Sequence, residues 1–142
     1  MKLKDVMTNS VIQIGAEETV EVAARQLAHY NIGAMPVCDQ KGNLCGMITD
    51  RDLVTRCLAA NLAPANTTVR QVMSSQVVSA NADMEVGVAA HLMGRQQIRR
   101  LPVTENGRLC GMVSLGDLAK NEESIMDAAD ALQDISGNIS TR

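Results

Sequence analysis

The sequence predicts an α+β fold made of two copies of one unit, and three observations support that prediction. The first is an internal repeat, since Val6-Met7 aligns with Val72-Met73 and the similarity continues over about 50 positions. The second is that each half alternates strand-like runs with amphipathic stretches of helical period. The third is composition: 142 residues that are 46% hydrophobic, with a net charge of −3, are typical of a folded chain.

The first copy is predicted to run strand, helix, strand, strand, helix. Val11–Ile14 is the first strand, and Glu17, Glu18 or Thr19 caps the helix after it. The apolar stripe of that helix has helical spacing, with Val20, Ala23, Ala24 and Leu27 on one face. Two strands joined by a turn follow, and a last helix begins at Thr49.

The second copy repeats this order. Val77–Ala80 is its first strand, and Asp83 is a candidate cap for its first helix. That helix keeps the apolar stripe as Val86, Ala89, Ala90 and Met93. A turn at Asn106-Gly107 joins the next two strands, and the last helix begins at Ser114. We expect the two copies to pack sheet to sheet, because one copy of about 55 residues buries little apolar surface alone.

The predicted domain boundaries follow the repeat. Repeat 1 covers 5–60, a polar linker covers 61–69, repeat 2 covers 70–121, and an acidic helical tail covers 122–142. The tail has an apolar helical face, formed by Ile125, Ala128, Ala129, Leu132 and Ile135. We expect this face to dock on the module or on its symmetry mate, and the end of the tail, from Ser136, to be disordered.

Composition excludes several functions. Tyr30 is the only aromatic residue, and 13 Lys and Arg stand against 16 Asp and Glu, so nucleic-acid binding is disfavoured. No apolar run is long enough for a membrane span, and no signal peptide is visible, so we expect a cytoplasmic protein with no membrane contact. The four cysteines, Cys38, Cys45, Cys57 and Cys110, lack metal-site spacing and are interpreted as reduced thiols. No catalytic set is visible, which predicts a protein that is not an enzyme.

At this point the residues resemble a known family, the pair of cystathionine β-synthase (CBS) domains called a Bateman module. The strongest likeness is in Gly46-Met47-Ile48-Thr49-Asp50-Arg51-Asp52-Leu53 and Gly111-Met112-Val113-Ser114-Leu115-Gly116-Asp117-Leu118. Both match the family's Gly-hydrophobic-x-Thr/Ser-x-x-Asp signature, and each follows a matching Pro-Val strand. The likeness runs from about Val6 to Asn121 and implies a small stand-alone CBS-domain protein.

Thr49 and Asp52 have two compatible interpretations. As a hydroxyl and a carboxylate three residues apart at a helix start, they form a capping box, and so do Ser114 and Asp117. The same groups could bind a nucleotide, with the hydroxyl on phosphate or ribose and the carboxylate accepting from ribose hydroxyls. The family resemblance favours binding at these positions.

Charge is predicted to make the two sites unequal. The resemblance implies that Arg99 or Arg100 reaches the phosphate of the nucleotide held by Thr49 and Asp52. The corresponding Gly33 and Ala34 carry no charge, although Arg51 could supply a cation to the Ser114/Asp117 site. We therefore expect the Asp52 site to bind phosphate better. Candidate aliphatic walls for adenine are Ile12, Ile32, Met35 and Pro36, with counterparts Val78, Ile98, Leu101 and Pro102.

The resemblance implies a regulatory module that binds AMP, ADP, ATP or a related adenosine ligand in clefts between its repeats, with no required cofactor and no metal. It would signal through a change of shape or self-association, as a homodimer acting on an unidentified partner protein. One alternative is a structural module with empty sites that dimerises or docks to a partner, and the uncharged Gly33-Ala34 partly favours it. A second alternative, a thiol or metal sensor, rests only on the four cysteines.

Overall fold

In the computed structural model, residues 1–121 and 124–140 are described, and within them the chain has the predicted α+β architecture with two three-stranded sheets. The strands are β1 (Ile14–Gly15), β2 (Ala34–Cys38), β3 (Leu44–Thr49), β4 (Ala80–Asn81), β5 (Arg100–Glu105) and β6 (Arg108–Ser114). The α-helices are α1 (Leu3–Val6), α2 (Val20–Tyr30), α3 (Asp50–Asp52), α4 (Val69–Val72), α5 (Val86–Gln96), α6 (Leu115–Ala119) and α7 (Ile125–Ser140). Helix α3 continues as π-helical turns over Leu53–Leu58, and the linker holds a short 3₁₀ helix at Pro64–Asn66.

Residues Ile12–Val77 form one compact unit, here called the continuous unit. In its sheet β2 is central, parallel to β1 and antiparallel to β3. Helix α2 begins after Thr19, whose hydroxyl accepts a hydrogen bond from the backbone N–H of Val22 at 3.2 Å. The buried side of α2 covers the sheet with Val20, Ala23 and Leu27, which lie in one core with Met35, Val37 and Ile48.

Met1–Val11 and Val78–Arg142 form the other compact unit, here called the split unit. Its sheet repeats the same order, with β5 between a parallel β4 and an antiparallel β6. Its core joins the sheet to α5 and α6, and it also takes in three residues of α7, namely Ala128, Ala131 and Ile135. The sequence predicts docking of the tail, and the structure shows that the tail docks on α5 and α6 of the split unit.

Each compact unit includes the short helix that opens the other repeat. Helix α4 lies in the continuous unit, where the Val69 and Arg70 N–H groups donate to the carbonyls of Glu18 and Ala16 at 2.8 and 2.9 Å. Helix α1 does the same in the split unit, with the Leu3 and Lys4 N–H groups donating to Met84 and Ala82. The compact units therefore divide the chain differently from the sequence repeat, because these backbone contacts are formed between residues distant in sequence.

Glycines on β3 and β6 make room for the chain segments that follow α4 and α1. A Cβ at Gly46 would lie 2.9 Å from the Ser74 carbonyl oxygen, and one at Gly111 would lie 3.1 Å from that of Thr8. The chain after α4 therefore runs directly against β3, and the chain after α1 runs directly against β6. Isolated bridges between Met47 and Ser74, and between Thr8 and Met112, fix these contacts.

Several local predictions differ from the structure. The first strands are shorter than predicted: only Ile14–Gly15 and Ala80–Asn81 pair with a neighbour, because the residues before them lie outside the parallel ladder. Asp83 does not cap α5, which begins after Glu85 without a side-chain cap. The carboxylate of Asp83 instead forms an ion pair with Lys4 of α1 at 3.1 Å.

The C-terminal tail contains a long helix, and two cysteines lie on the edge strands β3 and β6. Helix α7 covers Ile125–Ser140, the expected disorder from Ser136 stays a prediction, and residues 122, 123, 141 and 142 lie outside the described part of the chain. Cys45 and Cys110 are half-buried, and each lies at the sheet edge beside a register shift.

Candidate functional site

The end of β3 in the continuous unit places Thr49 and Asp52 together. The Thr49 hydroxyl accepts from the Asp52 N–H, and the Asp52 carboxylate accepts from the Thr49 N–H, both at 3.0 Å. This reciprocal capping box holds Asp52 with only 8% of its surface exposed. Only Oδ2 of Asp52 serves the cap, and Oδ1 lies 3.8 Å from the Arg56 guanidinium.

The end of β6 in the split unit repeats this geometry. The Ser114 N–H donates to Asp117 Oδ2 at 2.9 Å, and the Asp117 N–H donates to the Ser114 hydroxyl at 3.1 Å. The second carboxylate oxygen of Asp117 takes no part in the cap, so it can accept a further hydrogen bond. Each capping hydroxyl accepts through oxygen and keeps its own proton to donate. Capping therefore leaves both corners with free hydrogen-bonding capacity.

The two corners differ in their neighbours. Ala34 pairs with Thr49, and Asp50 donates its N–H to the Gly33 carbonyl at 3.0 Å, so an acidic side chain stands beside an uncharged strand start. In the split unit Arg100 pairs with Ser114, and the Leu115 N–H donates to the Arg99 carbonyl at 3.0 Å.

The side chains of Arg99 and Arg100 are exposed. Neither guanidinium forms an ion pair with a residue in the described ranges. The structure thus brings both arginines beside Ser114 of their own unit.

The predicted pairing of Arg99 or Arg100 with Thr49 and Asp52 joins residues of different compact units, and it stays a prediction. Arg51, the other predicted cation, is exposed at the start of α3, and its N–H donates to Asp50 Oδ1 at 2.8 Å.

The predicted adenine walls fall into two groups. Met35, Pro36, Leu101 and Pro102 are buried in the central strands. Ile12, Ile32, Val78 and Ile98 are half-buried and pack against the edges of the two cores. Only the second group has surface to offer to a ligand, because strands β2 and β5 are central in their sheets and turn their side chains into packed layers.

A cavity of about 460 Å³ opens beside Arg99, Arg100 and Ser114 in the split unit. Its opposite side is formed by α7, through Ile125, Ala128, Ala129 and Leu132. The sequence pattern predicts these four residues on one helical face but does not assign them to a site. Their period of three and four residues was the available signal, and it did not identify the surface that they face.

A second cavity, of about 720 Å³, lies in the continuous unit at the end of β2 opposite Thr49. It is lined by Cys38, Asp39 and Lys41 of the strand end and turn, and by the ion-paired side chains of Glu17 and Arg70. Sequence reasoning missed it because Arg70 reaches the cavity only through the docking of α4.

Burial makes three of the four thiols less reactive. Burial raises the pKa of the Cys38 thiol to about 11, and burial also raises the pKa of Cys45 and Cys110. Thiols with raised pKa values stay protonated at neutral pH and are weak nucleophiles and metal ligands. Across residues 1–121 and 124–140, no three His, Cys, Asp or Glu side chains are grouped to hold a metal ion.

None of the described helices combines the length and apolar character that a membrane crossing requires. This finding concerns the helices of residues 1–121 and 124–140.

Comparison with known sequences finds the CBS domain twice, over residues 3–59 and 69–124. The chain is 42% identical over 134 residues to the CBS domain-containing protein YhcV of Bacillus subtilis, covering 94% of each chain.

Among solved structures, it resembles the crystal structure of Hypoxic Response Protein I with two coordinated zinc ions, at TM-score 0.78 and 33% identity, covering 85% of this chain and 98% of that one. It also resembles the CBS domain pair of protein MJ0100 in complex with 5′-methylthioadenosine and S-adenosyl-L-methionine. That match has TM-score 0.71 and 28% identity and covers 84% of this chain and 94% of that one.

Proposed function

Because the chain belongs to the CBS-domain family, whose paired domains are regulatory modules, we propose that it binds an adenosine ligand and reports its occupancy. AMP, ADP and ATP are the candidate ligands. The observation that carries the proposal is the pair of capped corners. In both, one carboxylate oxygen and one hydroxyl proton take no part in the cap, and the oxygen of Asp52 lies 3.8 Å from the Arg56 guanidinium. These are the groups that ribose hydroxyls and phosphate require.

The structural neighbour with bound adenosine compounds supports this class of ligand. The MJ0100 domain pair is described with 5′-methylthioadenosine and S-adenosyl-L-methionine. Those two compounds share the adenosine moiety and lack phosphate. Arg99 and Arg100 add cationic groups that suit a phosphorylated member of the class, because guanidinium groups form bidentate hydrogen bonds with phosphate.

Signalling would follow from linkage. A ligand that binds one arrangement of the chain better than another shifts the population toward that arrangement, whether the change is one of shape or of self-association. The proposed homodimer and the proposed partner protein are the two routes for such a signal. This mechanism requires no chemical step and no catalytic group.

The test begins with the ligand itself. Release of small molecules from the purified chain by mild denaturation, followed by mass spectrometry, identifies what co-purifies. Calorimetric titration then compares AMP, ADP, ATP, 5′-methylthioadenosine and S-adenosyl-L-methionine. Binding of at least one of these supports the proposal, and absence of binding across the panel contradicts it and favours the structural module with empty sites.

Paired variants then rank the two corners. The sequence predicts that Asp52→Ala lowers affinity for AMP more than Asp117→Ala does, because the Asp52 site is expected to bind phosphate better. Loss of a carboxylate that accepts from ribose is worth about tenfold or more in affinity. Asp52→Asn and Asp117→Asn are the matched controls, since each keeps an oxygen for the capping box. If Asp117→Ala abolishes binding while Asp52→Ala leaves it intact, the predicted ranking is wrong.

A further inference from the structure

The C-terminal helix α7 packs closely against α5 and α6 of the split unit. Ala128, Ala131 and Ile135 are buried, and Ser124, just before the helix, is fully buried with its hydroxyl donating to the Leu118 carbonyl at 2.5 Å. A Cβ at Gly94 of α5 would lie 3.1 Å from the Ala131 Cα, so the two helices approach closely. Helix α7 therefore contributes to the hydrophobic core of the split unit.

The same helix leaves apolar surface uncovered beside the arginines. Ile125 and Leu132 are 48% and 43% exposed, and with Ala129 they line one side of the 460 Å³ cavity. Arg99, Arg100 and Ser114 line the opposite side, and neither guanidinium has an ion-pair partner among residues 1–121 and 124–140. The cavity thus joins two free cations and a hydroxyl to an apolar wall.

A volume of this size suits a small molecule, since ligand sites in proteins measure about 300–1,000 Å³. The lining selects its chemistry. An anionic group fits the guanidinium side, and an apolar body covers the exposed side chains of α7. Both family-domain matches end before this helix, at residues 59 and 124, so the wall belongs to this chain and not to the shared domain.

We propose that α7 is a wall of a ligand cavity in the split unit, and that a ligand combining an anionic group with an apolar body fastens α7 to the unit. This rests on the proposed function and adds the means of reporting. A ligand that contacts α7 only when the helix is docked stabilises the docked state by linkage. Ligand binding in the cavity then increases the fraction of molecules in which α7 is docked.

The experiment uses the full chain, AMP as the probe and hydrogen exchange as the readout. AMP at saturation is expected to slow amide exchange in residues 125–137 relative to the unliganded chain. Adenosine, which lacks the phosphate, is expected to protect these amides less at the same concentration. Calorimetry on the same samples measures whether AMP binds at all.

A matched pair of variants separates the wall from the rest of the helix. Leu132 lines the cavity, whereas Met126 is 74% exposed and does not line it. Leu132→Gln is expected to weaken AMP binding about tenfold, the effect of losing one or two methylene contacts in an apolar pocket. Met126→Gln should leave the affinity within about twofold of wild type. Leu132→Met, which keeps an apolar side chain, should restore most of the binding.

The outcomes are distinct. AMP binding with unchanged exchange in 125–137 and equal affinity for both Gln variants overturns this inference and leaves the proposed function standing. Absence of AMP binding while another of the five adenosine compounds binds overturns this inference alone, and absence of binding to all five overturns both. A change in oligomeric state for Leu132→Gln, with unchanged AMP affinity, also overturns the inference and assigns the cavity to contact between copies.

Discussion

Helices α2 and α5 occupy the same place in the two repeats, but among the described residues α5 packs against the long helix α7, whereas α2 packs against the short 3₁₀ helix Pro64–Asn66. Ala90 of α5 is fully buried, whereas the aligned Ala24 of α2 is exposed, contrary to its predicted place on the buried stripe. The difference lies in neighbouring positions. Gly94 of α5 admits the backbone of α7, and the aligned residue of α2 is Ala28. At this contact point the two surfaces differ by one methyl group.

Charge reinforces this difference. Gly87 of α5 faces Asp127 of α7, with 3.0 Å between a Cβ built there and a carboxylate oxygen. At the aligned position α2 carries Glu21, which forms an ion pair with Arg25. A carboxylate at that place would oppose Asp127 if α7 lay on α2. The two repeats share one fold, and the differences at Ala28/Gly94 and Glu21/Gly87 give the corresponding helices α2 and α5 different outer surfaces.

The largest effect is expected when the close approach of α5 and α7 is blocked. Gly94→Val places side-chain atoms where the Ala131 backbone lies, so α7 must shift or undock, at a cost of about 2–3 kcal/mol in the free energy of unfolding. Ala28→Val on the exposed face of α2 is the matched control, with a cost of about 0.5 kcal/mol from helix propensity. Urea unfolding measures the stability of both variants. Equal losses for Gly94→Val and Ala28→Val would show that the contact with α7 does not make the α5 position more sensitive than the α2 position.

A smaller loss in the free energy of unfolding is expected when the capping box of either corner is broken. Because the two capping boxes have the same geometry, we expect equal losses at the two corners. Thr49→Ala and Ser114→Ala each remove a hydroxyl that accepts from a backbone N–H, so each should lower the free energy of unfolding by about 1 kcal/mol. The exchanges Thr49→Ser and Ser114→Thr keep the oxygen and serve as controls. Losses differing by more than about twofold would mean that one hydroxyl has a structural role that the other lacks.

The repeat and its corners were predictable because their signals are local. The capping of α2 by Thr19 and the Thr49–Asp52 and Ser114–Asp117 pairs depend on residues three positions apart. The similarity of the halves could be seen by aligning one half of the sequence with the other. The α+β fold and the resemblance to CBS domains, both confirmed, followed from these short-range patterns.

Long-range contacts were not predictable in the same way. The docking of α1 in the split unit and of α4 in the continuous unit depends on backbone hydrogen bonds across more than 50 residues. Asp83 was predicted as a cap because Asp is a good capping residue, but Lys4 is close enough in space to pair with it. The docking surface of α7 depends on Gly94, which lets the Ala131 backbone approach α5 closely. The sequence does not show which helix packs at that glycine.

The smallest expected effect concerns the ion pairs that attach the short helices. Lys4 pairs with Asp83 in the split unit as Arg70 pairs with Glu17 in the continuous unit, and all four side chains are exposed. The hydrogen bond from Lys4, followed by its charge and that of Lys2, lowers the pKa of Asp83. The stabilisation is therefore present above the ordinary Asp pKa of about 4 and is lost as the pH falls through the lowered value.

Asp83→Asn should thus lower the urea midpoint slightly at pH 7, and the difference from wild type should shrink as the pH is lowered below about 4. Glu17→Gln tests the corresponding pair, and Asp130→Asn, on the exposed side of α7, controls for net charge. Exposed pairs contribute little, because water screens them and ordering two long side chains costs entropy. A difference that persists unchanged into acid would show that the charge of Asp83 is not the source of the stabilisation.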